Sequence, residues 1–241
     1  MGKKWLERTE LLIKEEGLEK LNQATVLVVG LGGVGSFAAE FLARSGVGNM
    51  TIVDGDTVDI TNINRQLPAL HSTVGKHKVD VVAERLLDIN PDLKLTKINE
   101  FLNPERMDEV LDSAPFDYVL DCIDSVTPKL CLIIAAKRRR IKIVSSMGAG
   151  GKTDPSKVMV RDISKTEHCH LARQVRKRLK KVKIDKGVRC VFANDIQDEN
   201  SLKMTDGSNY KRSFYGTISY MPAIFGLYTA SEVINYLLDK K

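Results

Sequence analysis

The sequence predicts an α/β fold: a mainly parallel sheet with helices on both faces and a decorated C-terminal half. Three observations predict it. Short β-branched runs alternate with helix-period segments from residue 24 to about residue 146. A glycine-rich turn, Gly30 to Gly35, joins the first such run to the first such helix. The 241 residues, 43% of them apolar, suffice for one domain with a core that needs no disulfide or structural metal. Strands joined by helices imply right-handed crossovers and a sheet covered on both faces.

The elements follow in order. Thr25–Val29 is an apolar run ending at Gly30, and residues 35–43 read as helix. Met50–Val53 is a second strand that ends in acid. From Lys78, Val79, Val82, Ala83, Leu86 and Leu87 keep helical spacing until Asn90-Pro91 stops them. Leu93–Ile98, Tyr118–Cys122 and Ile141–Ser145 read as three more strands, separated by helices near 104–112 and 127–139.

Beyond Gly148 the pattern changes. A turn at 148–151 leads to a strand, Val158–Asp162, and then a basic helix. A polar, loose stretch is expected over Asp195–Lys211, and a C-terminal helix from about Ala223 to Leu238. The charge-free run Ser213–Ser231 is long enough to span a membrane. Its Gly216, Gly226, Pro222 and hydroxyls read instead as a buried strand and the start of a core helix. With no repeat and no linker, residues 1–241 are expected to form a single domain.

A net charge of +6 favours an anionic partner without requiring one. The four cysteines are scattered and form no CxxC pair, which argues against a disulfide framework and a four-cysteine zinc site. They fit a reducing cytoplasm. The N-terminus carries no apolar core with a cleavage site, so no signal peptide and no membrane association are expected.

Gly30-Leu-Gly-Gly-Val-Gly35 follows a strand and opens a helix, the context in which this spacing lets backbone approach phosphate. Asp54 ends the next strand, where a carboxylate holds ribose hydroxyls. These features alone fit NAD, or tight packing with no ligand. The next block favours ATP chemistry: Asp54-Gly-Asp56, Asn62-Ile-Asn-Arg65-Gln66 and Gly75-Lys-His-Lys78. Hydride transfer leaves the pyrophosphate intact, whereas adenylation moves charge onto it and uses positioned Arg65 and Lys78. Singly, each reads equally as a surface charge. Asp121-Cys-Ile-Asp124-Ser125 ends the fourth strand, where Asp124 suits Mg²⁺ on a triphosphate; Asp124 or Ser125 also suits the cap of the next helix.

The set GLGGVGS, VDGD, TNINRQ, VGKHK and DCIDS closely resembles the ThiF/MoeB/HesA branch of ubiquitin-activating-like enzymes, whose fold is Rossmann-like. The resemblance implies that Gly30, Gly32, Gly33 and Gly35 approach nucleotide phosphates and that Asp54 binds ribose. It implies that Asn62, Arg65 and Lys78 contact the triphosphate and that Asp124 handles Mg²⁺. Asp56, Gln66 and Ser125 complete the nucleotide site. Arg8 matches an N-terminal arginine that reaches the neighbouring subunit's ATP, which implies a homodimer.

Residues 122–129, 147–155 and 188–192, with the missing CxxC pair, resemble the tRNA threonylcarbamoyladenosine dehydratase subfamily. The stretch 197–211 matches it poorly. The subfamily acts on a tRNA adenosine that carries threonine through a urea. The implied chemistry adenylates the threonyl carboxylate with ATP, then closes a ring internally and releases AMP, with no zinc required. Leu171, Val175, Leu179 and Val182 form an apolar stripe, and Arg173, Arg176, Lys177, Lys180 and Lys181 fall largely opposite. That face suits RNA phosphates, or is simply solvated. Lys137-Arg-Arg-Arg140 lies at a helix C-terminus, which favours cations anyway.

His168-Cys169-His170 cannot easily converge on one metal ion. Cys190 reads as a core cysteine, although the family's association with sulfur transfer (a cysteine desulfurase system) leaves a nucleophilic role open. The rival functions are an adenylyltransferase activating the C-terminus of a ubiquitin-like sulfur carrier, a non-catalytic nucleotide- or RNA-binding module, and an NAD-dependent oxidoreductase.

Overall fold

In the computed structural model, residues 4–204 and 213–239 are described. The sheet strands are β1 (Thr25–Val29), β2 (Asn49–Val53), β3 (Lys94–Ile98), β4 (Tyr118–Asp121), β5 (Lys142–Ser146), β6 (Val158–Asp162) and β7 (Arg189–Ala193). They lie in the order β3-β2-β1-β4-β5-β7-β6. All pairs are parallel except the edge pair β6–β7. The helices are α1 (Glu7–Gln23), α2 (Gly35–Arg44), α3 (Lys78–Ile89), α4 (Pro104–Asp112), α5 (Val126–Arg138), α6 (His170–Lys181) and α7 (Tyr220–Asp239).

Strand alternation sorts the core into two layers. Val26, Val28, Met50, Ile52 and Leu120 share one cluster with residues of α2, α3 and α7. Leu27, Val29, Val53 and Val119 share the other with α4, α5 and α6. Neighbouring residues of one strand thus serve opposite faces, as the period of two demands. Local chemistry sets the helix ends. Asn103 caps α4, its Oδ1 accepting from Arg106 N–H at 2.8 Å with Pro104 at the first position. Asn90 ends α3, and its buried Nδ2 donates to the Val47 carbonyl at 3.2 Å.

The alternation begins at β1, as expected, and is preceded by α1, over residues for which the sequence suggested no element. Its apolar residues form no clean stripe, because the helix breaks at Lys14, where φ is 64°. Ser213–Tyr215 (β9) is not a buried strand. It is half-exposed and pairs antiparallel with β8 (Leu202–Met204) in a separate two-stranded sheet. The stretch expected to be loose contains β8 and a turn at Glu199–Ser201, where the Asp198 side chain accepts from Asn200 N–H at 3.0 Å. Residues 205–211 of that stretch lie outside the described residues. Among the described residues, no helix is long and apolar enough to cross a membrane.

One ion pair is wholly inside the sheet layer. Lys129 of α5 and Asp121 at the end of β4 are both fully buried, 2.9 Å apart. Lys129 Nζ also donates to Ser145 Oγ (3.2 Å) and the Ser146 carbonyl (2.9 Å). Asp121 further accepts from Ser145 Oγ at 2.5 Å and Ile123 N–H at 3.2 Å. Burial pushes the Asp121 carboxyl upward, against the pull of Lys129 and these donors. Removing one partner strands the other charge. Lys129→Met is expected to cost about 3–5 kcal/mol in urea unfolding, and Lys129→Met/Asp121→Asn to recover most of it. Equal losses in the single and double variants would contradict this assignment.

Candidate active site

The strand order reverses between β1 and β4, and the loops leaving these strands part there to form a crevice. The geometry at this point admits no side chains. A Cβ on Gly35 would lie 1.7 Å from the Gly30 carbonyl oxygen, and one on Gly30 would lie 2.9 Å from that of Cys122. Gly30 also holds a φ of 91°, which favours glycine. A Cβ on Gly33 would meet Pro222 of α7 at 2.9 Å and the Arg65 carbonyl at 3.1 Å. Gly30, Gly33 and Gly35 are therefore demanded by packing alone. Gly32 differs: its nearest neighbour would be Gln66 Nε2 at 3.7 Å, so its backbone stays open to a ligand. Helix α2 starts there without a side-chain cap, leaving first-turn N–H groups for an anion.

Asp54 ties this loop to β2. One carboxylate oxygen accepts from Leu31 N–H at 2.6 Å and the other from Asp56 N–H at 2.8 Å. Burial raises its carboxyl above the usual range, while Lys78 and the two N–H donors pull it down. Asp54 thus builds the loop.

Lys78 is not the solvated charge it resembles singly. It is 5% exposed, and its Nζ lies 2.9 Å from Asp56. Arg65 is half-buried and donates to the Thr61 carbonyl (2.9 Å) and Asn64 Oδ1 (2.7 Å). Burial lowers its pKa, and the charge of Asp124 opposes that shift. Asn62 is buried, and its Oδ1 accepts from Asp59 N–H at 3.2 Å in a capping box. The Gln66 Oε1 is buried without a partner beside Gly32, a place for a ligand donor. Ser125 stands at the cap position of α5 but makes no capping bond; its Oγ donates to Asp124 at 3.3 Å. Arg8 is exposed on α1.

Arg173, Lys177, Lys180 and Lys181 are exposed on α6, over buried Ala172, Val175 and Leu179. Arg176 departs from the expected face. It turns inward and donates to the carbonyl and hydroxyl oxygens of Thr166, joining α6 to the preceding turn. Val182, expected in the apolar stripe, lies past the helix end and is exposed. The 137–140 cluster is largely committed to structure: Arg138 and Arg139 pair with Asp108, Arg139 also with Asp112, and Lys137 donates to the Gly187 carbonyl.

Two features escaped sequence reading. Lys129 holds the floor of the crevice. Lys152, 2% exposed, donates to the carbonyls of Ala193 and Asp195, both at 2.7 Å, and to Asp195 Oδ1 at 3.0 Å. The only available signal for Lys129 was a lone charge inside an apolar helix; Lys152 gave none.

Among the described residues, no three His, Cys, Asp or Glu side chains gather as a metal site. Cys190 is fully buried in β7, and burial pushes its thiol far above the usual range; the Cys122 thiol is pushed up to about 12. The Cys190 thiol is therefore expected to resist iodoacetamide in the native protein at neutral pH and to react on unfolding, as read by peptide mass. Rapid native alkylation of Cys190 would refute its assignment to the core.

Residues 6–241 match the ThiF family. The chain is 42% identical to the tRNA threonylcarbamoyladenosine dehydratase of Bacillus subtilis, over 96% of this chain and 93% of that protein. It superposes on the crystal structure of the Escherichia coli tRNA N6-threonylcarbamoyladenosine dehydratase in complex with ATP with a TM-score of 0.87 at 36% identity. That superposition covers 98% of this chain and 96% of the other. The molybdopterin-synthase adenylyltransferase of Escherichia coli is 38% identical over 54% of this chain and 51% of that protein. A match of this extent, on a sheet whose switch point carries the glycine loop, the paired lysine, Arg65 and Asp124, places the chain in the ThiF family.

Proposed function

We propose that this chain is an ATP-dependent tRNA threonylcarbamoyladenosine dehydratase. Similarity to dehydratases along nearly the whole chain, against about half for the adenylyltransferase, carries the choice between the two adenylating readings. The threonyl carboxylate attacks the α-phosphate of ATP, forming an acyl–adenylate bond and releasing pyrophosphate. An atom of the modification then attacks the activated carbonyl, and AMP leaves with the oxygen it received. The nucleoside loses one water, and ATP becomes AMP and pyrophosphate. Carboxylate carbon is a poor electrophile until its oxygen is tied to phosphate, and ring closure from within needs no side-chain nucleophile.

The chain's own residues supply position and charge. The open backbone at Gly32 and the first turn of α2 receive phosphate. Lys78, held by Asp56, and Arg65, held by Asn64, face charge that grows on the leaving pyrophosphate. Mg²⁺ fits beside Asp124. Asp124, an exposed carboxylate, would hold the ion, which would supply positive charge against the triphosphate. Asn62, Asp54 and Gln66 complete the nucleotide site in this reading.

A homodimer, with Arg8 reaching the neighbouring subunit's nucleotide, belongs to the same proposal, as do a cytoplasmic setting and the absence of zinc. A sulfur-transfer protein of the cysteine-desulfurase type remains a proposed partner, acting by docking rather than through buried Cys190. The exposed cations of α6 are proposed to meet tRNA phosphates.

Incubation with ATP and tRNA carrying threonylcarbamoyladenosine is expected to release AMP and give a nucleoside lighter by one water. ATP binding without that mass change would instead favour a protein-tail activator. Arg65→Ala and Asp124→Ala should each slow AMP release by roughly 10²–10³-fold with the fold intact; near-normal rates in both would refute the site. Replacing Arg173, Lys177 and Lys181 by alanine should weaken tRNA binding and reduce the salt slope by about 1–3. An unchanged slope would place the RNA surface elsewhere.

A further inference from the structure

A cleft of about 630 Å³ lies beside the nucleotide motifs and shares Asn64 with them, within the size range of sites that take a nucleoside-sized ligand. Its wall comes from segments that the glycine loop and the cations do not supply. Asn64 contributes one part, Asp195 and Asp198 a second, and Thr217 and Ile218 a third. The wall is rigidly built. Gly151 N–H donates to the Gly216 carbonyl and Asp198 N–H to the Gly151 carbonyl, both at 2.8 Å. Lys152, itself part of the cleft lining, holds the Asp195 segment through the Asp195 carbonyl and carboxylate.

Asn64 connects this cleft to the reaction centre. Its Oδ1 accepts from the Arg65 guanidinium at 2.7 Å, and its Nδ2 donates to the Thr217 carbonyl at 2.9 Å. One side chain thus touches both a cation of the triphosphate site and the cleft wall. A substrate whose carboxylate must reach the α-phosphate has to lie where these two meet.

We propose that this cleft receives the threonylcarbamoyl-adenine portion of the substrate, an assignment that rests on the dehydratase reading above. The charge pattern orients it. Asp198 disfavours the threonyl carboxylate, and Asp198 and the Lys152-paired Asp195 accept from donors such as urea N–H groups and the threonyl hydroxyl. The carboxylate is directed instead towards Asn64 and Arg65. Ile196 and Ile218, 83% and 43% exposed in the cleft wall, give the base an apolar surface to lie against.

The test is equilibrium binding of the full chain, loaded with a non-hydrolysable ATP analogue, to two stem-loop RNAs. One carries N6-threonylcarbamoyladenosine and the other plain adenosine at the same position. Wild type should prefer the modified RNA by roughly tenfold or more, the equivalent of one or more well-made contacts. Ile218→Trp, which fills the cleft, should abolish that preference, with circular dichroism and thermal unfolding reporting an intact fold. Ile196→Trp, at a far more exposed position, should act likewise and guards against misfolding of the first variant. Retained preference in both variants, or none in wild type, overturns the cleft assignment. Failure of the dehydratase reading shows separately, as the absence of a water-lighter nucleoside in wild-type turnover.

Discussion

The site depends on one steric constraint: where β1, α2 and β4 meet there is no room for a side chain. The 1.7 Å that would separate a Gly35 Cβ from the Gly30 carbonyl oxygen is less than half a normal contact. This absence lets the β1 loop, the first turn of α2 and the turn after Asp121 approach one another. The crevice they leave is bounded by backbone N–H groups rather than side chains. Asp54 then fastens the loop through Leu31 and Asp56, so that the carboxylate fixing the backbone also lies beside the ligand.

Charge is arranged around that constraint by pairing. Three buried lysines each have a carboxylate: Lys78 with Asp56 beside the crevice, Lys129 with Asp121 beneath it, and Lys152 with Asp195 in the C-terminal half. Each buried cation would be costly alone. Paired, Lys129 anchors the turn that carries Asp124, and Lys152 anchors the cleft wall. The Lys78–Asp56 pair has a partly exposed carboxylate, so it can rearrange when a polyanion arrives. Arg65 donates to neutral groups, Asn64 and the Thr61 carbonyl, which position the guanidinium.

Much of this was legible in the sequence because local patterns coincide with the constraints. Strands β1, β2, β4 and β5 are short, mostly apolar runs that end in, or run into, glycine, acid or serine at the site edge. The glycine loop, Lys78 and Asp124 fall at strand ends or helix starts, and Arg65 in the loop after β2, where doubly wound sheets bind ligands. What stayed hidden depends on tertiary contact. Lys129 and Lys152 have the composition of surface residues, and only the fold supplies their partners. Arg176 sits among exposed cations at nearly the same helical angle, yet a hydroxyl and a carbonyl at Thr166 draw it inward. Helix α1 carries Leu11 and Leu12 exposed and Leu21 buried, so no single stripe announces it. The apolar run at β9 reads as core, but it pairs only with β8, a three-residue strand, which leaves it half-exposed.

The central claim is that a carboxylate is activated by transfer of adenylate in the crevice between β1 and β4. The most direct test is oxygen tracing. The threonyl carboxylate of the modified tRNA would carry ¹⁸O, and the released AMP would be analysed by mass. Attack on the α-phosphate predicts one labelled oxygen in AMP for each turnover, with pyrophosphate unlabelled. Unlabelled AMP, or label in inorganic phosphate with ADP as the nucleotide product, would contradict the account.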